Sequence, residues 1–152
     1  GYGVGLILAA LGRTEEAIAL LREREQVHTG RLGKLYLVSL RNLLEGNRSQ
    51  AIQASEELRR TTFRDPEGLY YIARQFAYLG EHAPALEMLS RSVHHGFFCY
   101  PAMLRDSWLD SLRGIKEFVG LMRKAQDMYR EGVTAFLRLK GDALLGAPAE
   151  SF

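Results

Sequence analysis

The chain has 152 residues, 47% of them hydrophobic and 25% charged, with a net charge of +2. That balance describes a folded chain with a core of its own and excludes wholesale disorder. The scattered charge argues against a nucleic-acid surface, the single cysteine Cys99 excludes an internal disulfide, and no run reaches the roughly eighteen apolar residues of a membrane span.

The opening, GYGVGLILAALG, is apolar but lacks a charged leading segment, and its residues share the register of a 34-residue repeat. It reads as a structural helix rather than a secretion leader. The chain starts without methionine and inside a repeat, so it is expected to belong to a larger protein. One cysteine fits a reducing compartment, and a cytoplasmic location is expected.

The repeat is strict: Gly12-Ala17-Ile18 returns 34 residues later as Gly46-Ala51-Ile52 and again as Gly80-Ala85-Leu86. At the same shift Tyr2, Tyr36 and Tyr70 align, as do Val4, Val38 and Ile72, while Gly5, Ser39 and Ala73 make a row of small residues. A fourth copy is faint, with Gly114 in place but Val119 where alanine is due. Each unit reads as two helices. In the third, Asp65 is the N-cap, Pro66 takes the first helical position, and Leu69, Ile72, Ala73, Phe76 and Leu79 recur at helical spacing up to Gly80. Thr14 and Asn47 stand near the corresponding second-helix starts. Ala17, Ala51 and Ala85 are expected to face Gly5, Ser39 and Ala73, because paired helices approach closely only where side chains are small; a larger residue there would cost roughly 1–3 kcal/mol.

A 34-residue helical pair with these small positions resembles the tetratricopeptide repeat. The likeness covers about residues 1–97 well and 98–126 poorly. It implies an all-α superhelix of three hairpins, with repeats at about 1–31, 32–65 and 66–99. A degenerate pair at 100–126 and a capping helix to about residue 140 would complete one domain of residues 1–140. Asn42 and Ser55 depart from the pattern, standing where large apolar residues are usual, so the second unit is expected to pack less tightly. Residues 97–118 are similar to the segment that closes such arrays in bacterial multidomain signalling proteins, a likeness carried by Asp106, Trp108, Leu109, Leu112, Arg113 and Phe118. Residues 115–140 carry an amphipathic stripe of Ile115, Phe118, Val119, Met122, Ala125, Tyr129, Val133, Phe136 and Leu137. It reads as one helix, or two with a break near Gly132, and residues 141–152 as a frayed tail.

Candidate chemistry is sparse. His82, His94, His95 and Cys99 lack metal-ligand spacing, and adjacent helical histidines point about 100° apart. Asp106 and Asp110 would share a helix face beside Arg105 and Arg113, a solvated arrangement more than an acid–base pair. No phosphate-binding glycine loop is present. No catalysis, metal or cofactor is expected.

The resemblance implies that the tyrosine row faces a concave groove that binds peptides. Mapped onto this chain, the groove residues are Tyr2, Leu6, Tyr36, Leu40, Leu44, Tyr70, Arg74 and Tyr78. Tyrosine and arginine are favoured interface anchors. The competing reading is that the tyrosines lean on neighbouring repeats with their hydroxyls in water. The positions that grip a terminal carboxylate in some relatives hold Tyr36 and Leu40, or Tyr70 and Arg74, so that clamp is absent. The expected function is a non-catalytic interaction module with a protein or peptide partner and no direct nucleic-acid or membrane contact. The alternatives are a ligand-responsive regulatory domain and a homo-oligomerisation module, the latter forming a homodimer.

Overall fold

The computed structural model describes residues 1–145; 146–152, most of the expected tail, lie outside the described residues. Among the described residues every regular element is a helix. Three helix pairs come first: α1 (Tyr2–Ala10) with α2 (Thr14–Val27), α3 (Arg31–Leu44) with α4 (Arg48–Arg59), and α5 (Pro66–Tyr78) with α6 (His82–His94). Next come α7 (Tyr100–Arg105), a 3-10 segment (Ser107–Leu112), the long α8 (Lys116–Arg138) and the short α9 (Gly141–Leu145).

The joints explain the period. Gly12, Gly46 and Gly80 take φ of 74°, 75° and 76°, a left-handed conformation open to glycine at little cost. At each, the next N–H reaches back to an otherwise unpaired helix carbonyl: Arg13 to Leu8 at 2.9 Å, Asn47 to Asn42 at 2.8 Å, Glu81 to Phe76 at 2.9 Å. Gly96 ends α6 in the same manner, with φ 102°. Gly114, the expected fourth member, does not adopt this conformation, so the 34-residue pattern ends with α6. Asp65 caps α5 as its sequence indicates, its Oδ2 accepting the Gly68 N–H at 2.6 Å. The N-caps of α2 and α4, Arg13 and Asn47, make no side-chain cap bond; Asn47 donates instead to Glu45 and Asn42.

The small rows lie in the core. Ala17, Ala51 and Ala85 are fully buried, and Gly5, Ser39 and Ala73 are buried too. A Cβ at Gly5 would sit 3.0 Å from Leu21 Cδ2, so glycine is what admits Leu21 to α1. The two polar departures in the second unit are buried and partnered. Asn42 donates to the Val38 carbonyl at 2.9 Å, and Ser55 donates to Gln75 Oε1 at 3.4 Å. Ion pairs lace successive pairs along the rim, with Arg22 on Glu45, Arg48 on Glu81 and Arg59 on Glu87. Arg91 donates to the carbonyls of Arg59, Thr61 and Phe63, tying the connector after α4 to α6.

The C-terminal part corrects several expectations. Helix α8 runs unbroken through Gly120 and Gly132. Each internal glycine costs about 1 kcal/mol relative to alanine, and burial of Phe118, Met122 and Ala125 offsets that. Gly132 also gives room to Phe98, whose ring would stand 3.2 Å from a Cβ there. Val119 is exposed, so the buried stripe turns away from the alanine register of the earlier pairs. Gly141–Leu145 is helical where fraying was expected. Asp106 and Asp110 do not share a face: Asp106 turns inward to cap the 3-10 segment, while Asp110 pairs with Arg113 at the surface. Among the described residues no helix is long and apolar enough to cross a membrane, and no three His, Cys, Asp or Glu side chains group closely enough to hold a metal.

Candidate functional site

The tyrosine row is real in space, but its hydroxyls are not wet. Tyr36 and Tyr70 are only 9% and 5% exposed, and Tyr71 stands between Tyr2 and Tyr70 to link the row. Tyr2 meets Tyr36 edge-on at 5.3 Å between centroids and lies 5.3 Å from Tyr71; Tyr36 meets Phe63 at 6.1 Å, and Tyr70 stacks on Phe97 at 4.5 Å. The Tyr2 hydroxyl accepts from the Gln75 amide at 2.6 Å, which carries α1 across to α5. Burial raises all three phenol pKa values, with Asp106 adding to the rise at Tyr70 and both Tyr2 and Asp65 adding to it at Tyr36.

Further along, α5 spends its functional groups internally. The Tyr70 hydroxyl donates to Asp106 Oδ2 at 2.7 Å. Arg74 Nε lies 2.8 Å from the same oxygen as an ion pair, while the hydrogen bond runs from Arg74 Nη2 to Oδ1 at 3.0 Å. The guanidinium also sits 4.4 Å from the Trp108 ring, which packs on Tyr78 at 4.9 Å. The 3-10 segment thus covers the Arg74 end of the row. Leu40 is fully buried with Leu21 and Leu37, and Tyr2, Leu6, Leu44 and Trp108 pack over that cluster.

These contacts divide the expected groove into two openings. One is a cleft of about 360 Å³ bounded by Leu6, Leu44, Arg74, Tyr78 and Trp108, where Tyr78 is 57% exposed. The other, of about 520 Å³, lies where α1, α3 and α5 begin and is more apolar. Tyr2, Tyr36, Tyr71 and Phe63 make its aromatic walls, Val27 and Leu37 add aliphatic surface, and Arg24, His28 and Asp65 stand among its polar groups. Local sequence builds it: Gly68, without a side chain, lets both the Tyr36 hydroxyl and the Phe63 ring approach α5, and a Cβ there would be 2.8 Å from that hydroxyl. Gly33 likewise makes room for the His28 ring. The Tyr36 hydroxyl is buried without a hydrogen-bond partner. Burial, with Glu67 accepting its hydroxyl, pushes the Tyr71 pKa up to about 12.

Of the eight residues expected in the groove, Tyr2 and Tyr36 border the larger cleft; Leu6, Leu44, Arg74 and Tyr78 border the smaller; Leu40 and Tyr70 border neither. Sequence reasoning misses Tyr71 and Phe63. The first has glycine and leucine at its period-related positions, Gly3 and Leu37, and the second lies in a connector between helices. The cleft carries hydroxyls, an imidazole, a guanidinium and a carboxylate around an apolar floor, which suits holding a side chain. The chain matches no family model, no curated protein and no solved structure.

Proposed function

We propose that the chain is a non-catalytic protein-interaction module of the tetratricopeptide type, its helix pairs forming a short superhelix that takes a peptide segment on the face made by α1, α3 and α5. The observation that carries this is the half-open cleft of about 520 Å³ walled by Tyr2, Tyr36, Tyr71 and Phe63. Pockets of that size, mostly apolar with a few fixed polar groups, suit ligand side chains, and the rings of Tyr2, Tyr36 and Tyr71, held together through Tyr2, are ordered before a partner arrives. The likeness of residues 97–118 to the closing segment of such arrays supports a place in a larger bacterial signalling protein working in the cytoplasm.

The test is capture of partners by the native chain beside a Val27→Asp, Tyr71→Ala variant. Both residues line the cleft and neither belongs to the fully buried core. Loss of binding by at least tenfold with an unchanged helical spectrum is expected, since one aromatic anchor is worth about 2 kcal/mol. A folded variant that keeps every partner ends this reading.

Self-association is favoured by a separate observation. Helix α1 carries no charged residue and exposes Val4 and Ile7, with Leu11 exposed just beyond its end. Sedimentation across a concentration series, with Ile7→Lys as control, separates a dimer through α1 from monomeric peptide binding.

A further inference from the structure

We infer that the larger cleft receives the phenol side chain of a tyrosine in the partner peptide, held at its tip by the Tyr36 hydroxyl and the Asp65 carboxylate; this rests on the peptide-binding reading. The opening has room for one large side chain and some backbone. Its walls are rings, and an added aromatic ring finds edge-to-face and offset partners there.

The polar groups select the tip. Arg24 and Asp65, of opposite charge, both stand in the lining, so the lining side chains as a whole do not call for a charged end. The Tyr36 hydroxyl is buried and unpartnered, and it lies beside Gly68 and Phe63, which border the same cleft. One oxygen of Asp65 already accepts the Gly68 N–H, leaving the other open. A phenol both accepts and donates. Its oxygen takes the Tyr36 proton, and its own proton goes to the open Asp65 oxygen. A phenylalanine ring fills the same space and satisfies neither group.

Phe63 also borders a third cleft, of about 570 Å³, with Leu32 and Leu35, so its ring has open space to move into as the ligand reaches the buried hydroxyl.

The experiment titrates the full chain with N-acetyl-tyrosinamide, N-acetyl-phenylalaninamide and N-acetyl-lysinamide, following backbone amide resonances. Saturable shifts centred on α3 and residues 63–71 are expected, with the tyrosine probe bound about 5–10-fold more tightly than the phenylalanine probe, the gain of one or two hydrogen bonds. In Tyr36→Phe the tyrosine preference should fall to the part that the Asp65 bond supplies, about 2–3-fold. Equal binding to the native chain, a tyrosine preference that survives Tyr36→Phe undiminished, a lysine preference, or no saturable binding would each overturn the inference. If those results come while Val27→Asp, Tyr71→Ala still abolishes partner capture, the peptide-binding reading stands and only its tyrosine specificity falls.

Discussion

At Tyr36 the structure holds a phenol oxygen out of water with nothing to bond, a state that costs about 1–3 kcal/mol. Tyr36→Phe is therefore expected to stabilise the free chain by about 1 kcal/mol, read as a higher denaturation midpoint at unchanged slope; a loss of stability would mean that the hydroxyl has a partner. The joint glycines make a second contrast. Gly46 has φ 75° and open space around a would-be Cβ, so Gly46→Ala costs about 1 kcal/mol through backbone conformation alone. Gly114 also has open space but no positive φ, and Gly114→Ala should change stability by less than about 0.5 kcal/mol. Tyr71 sets a pH window. Its folded pKa, about 12, lies above the ordinary tyrosine value of about 10, so the folded state keeps its proton when the unfolded state has lost it. The stability this supplies is complete below about pH 10 and is lost as pH rises toward 12. Tyr2, Tyr36 and Tyr70 push in the same direction. Helical signal and tyrosinate absorbance should change together on alkaline titration; tyrosinate appearing in chains that stay folded would contradict the burial described.

The elements legible in the sequence are those whose ends are set by local chemistry. Pro66 and Gly80 bracket α5, and the glycine after each first helix marks a turn that few other residues make cheaply. The alanine and small-residue rows tell of burial, because a close helix approach leaves no choice of side chain. Helix α8 misleads at Gly132, where packing on one face outweighs the local penalty. Likewise Asp106 and Asp110 look alike at helical spacing, but a 3-10 turn and the pull of Tyr70 and Arg74 send them apart. The site is half legible. A repeat shift finds residues that recur, which brings out Tyr2 and Tyr36; it is blind to Tyr71, whose counterparts are Gly3 and Leu37. Phe63 does recur, as Phe97, but lies outside the helices whose faces the shift compares. Nor does it tell a ring that lines a groove from one that fills it, since both sit on the same helix face.

Seen whole, the molecule is not a row of units that touch only their neighbours. The Tyr2 hydroxyl reaches Gln75 in the third pair, and Tyr2 also contacts Tyr36 in the second. Tyr2→Phe leaves the buried Gln75 amide without that acceptor and should cost about 1–3 kcal/mol. Hydrogen exchange should then quicken in α5 as well as in α1; acceleration confined to α1 would show that the bond carries no coupling. Links joined only to their neighbours lengthen under tension one after another. Here a brace spans from the first link to the third, so pulling on the chain loads all three at once, and they should yield in a single rupture under force rather than in successive small steps.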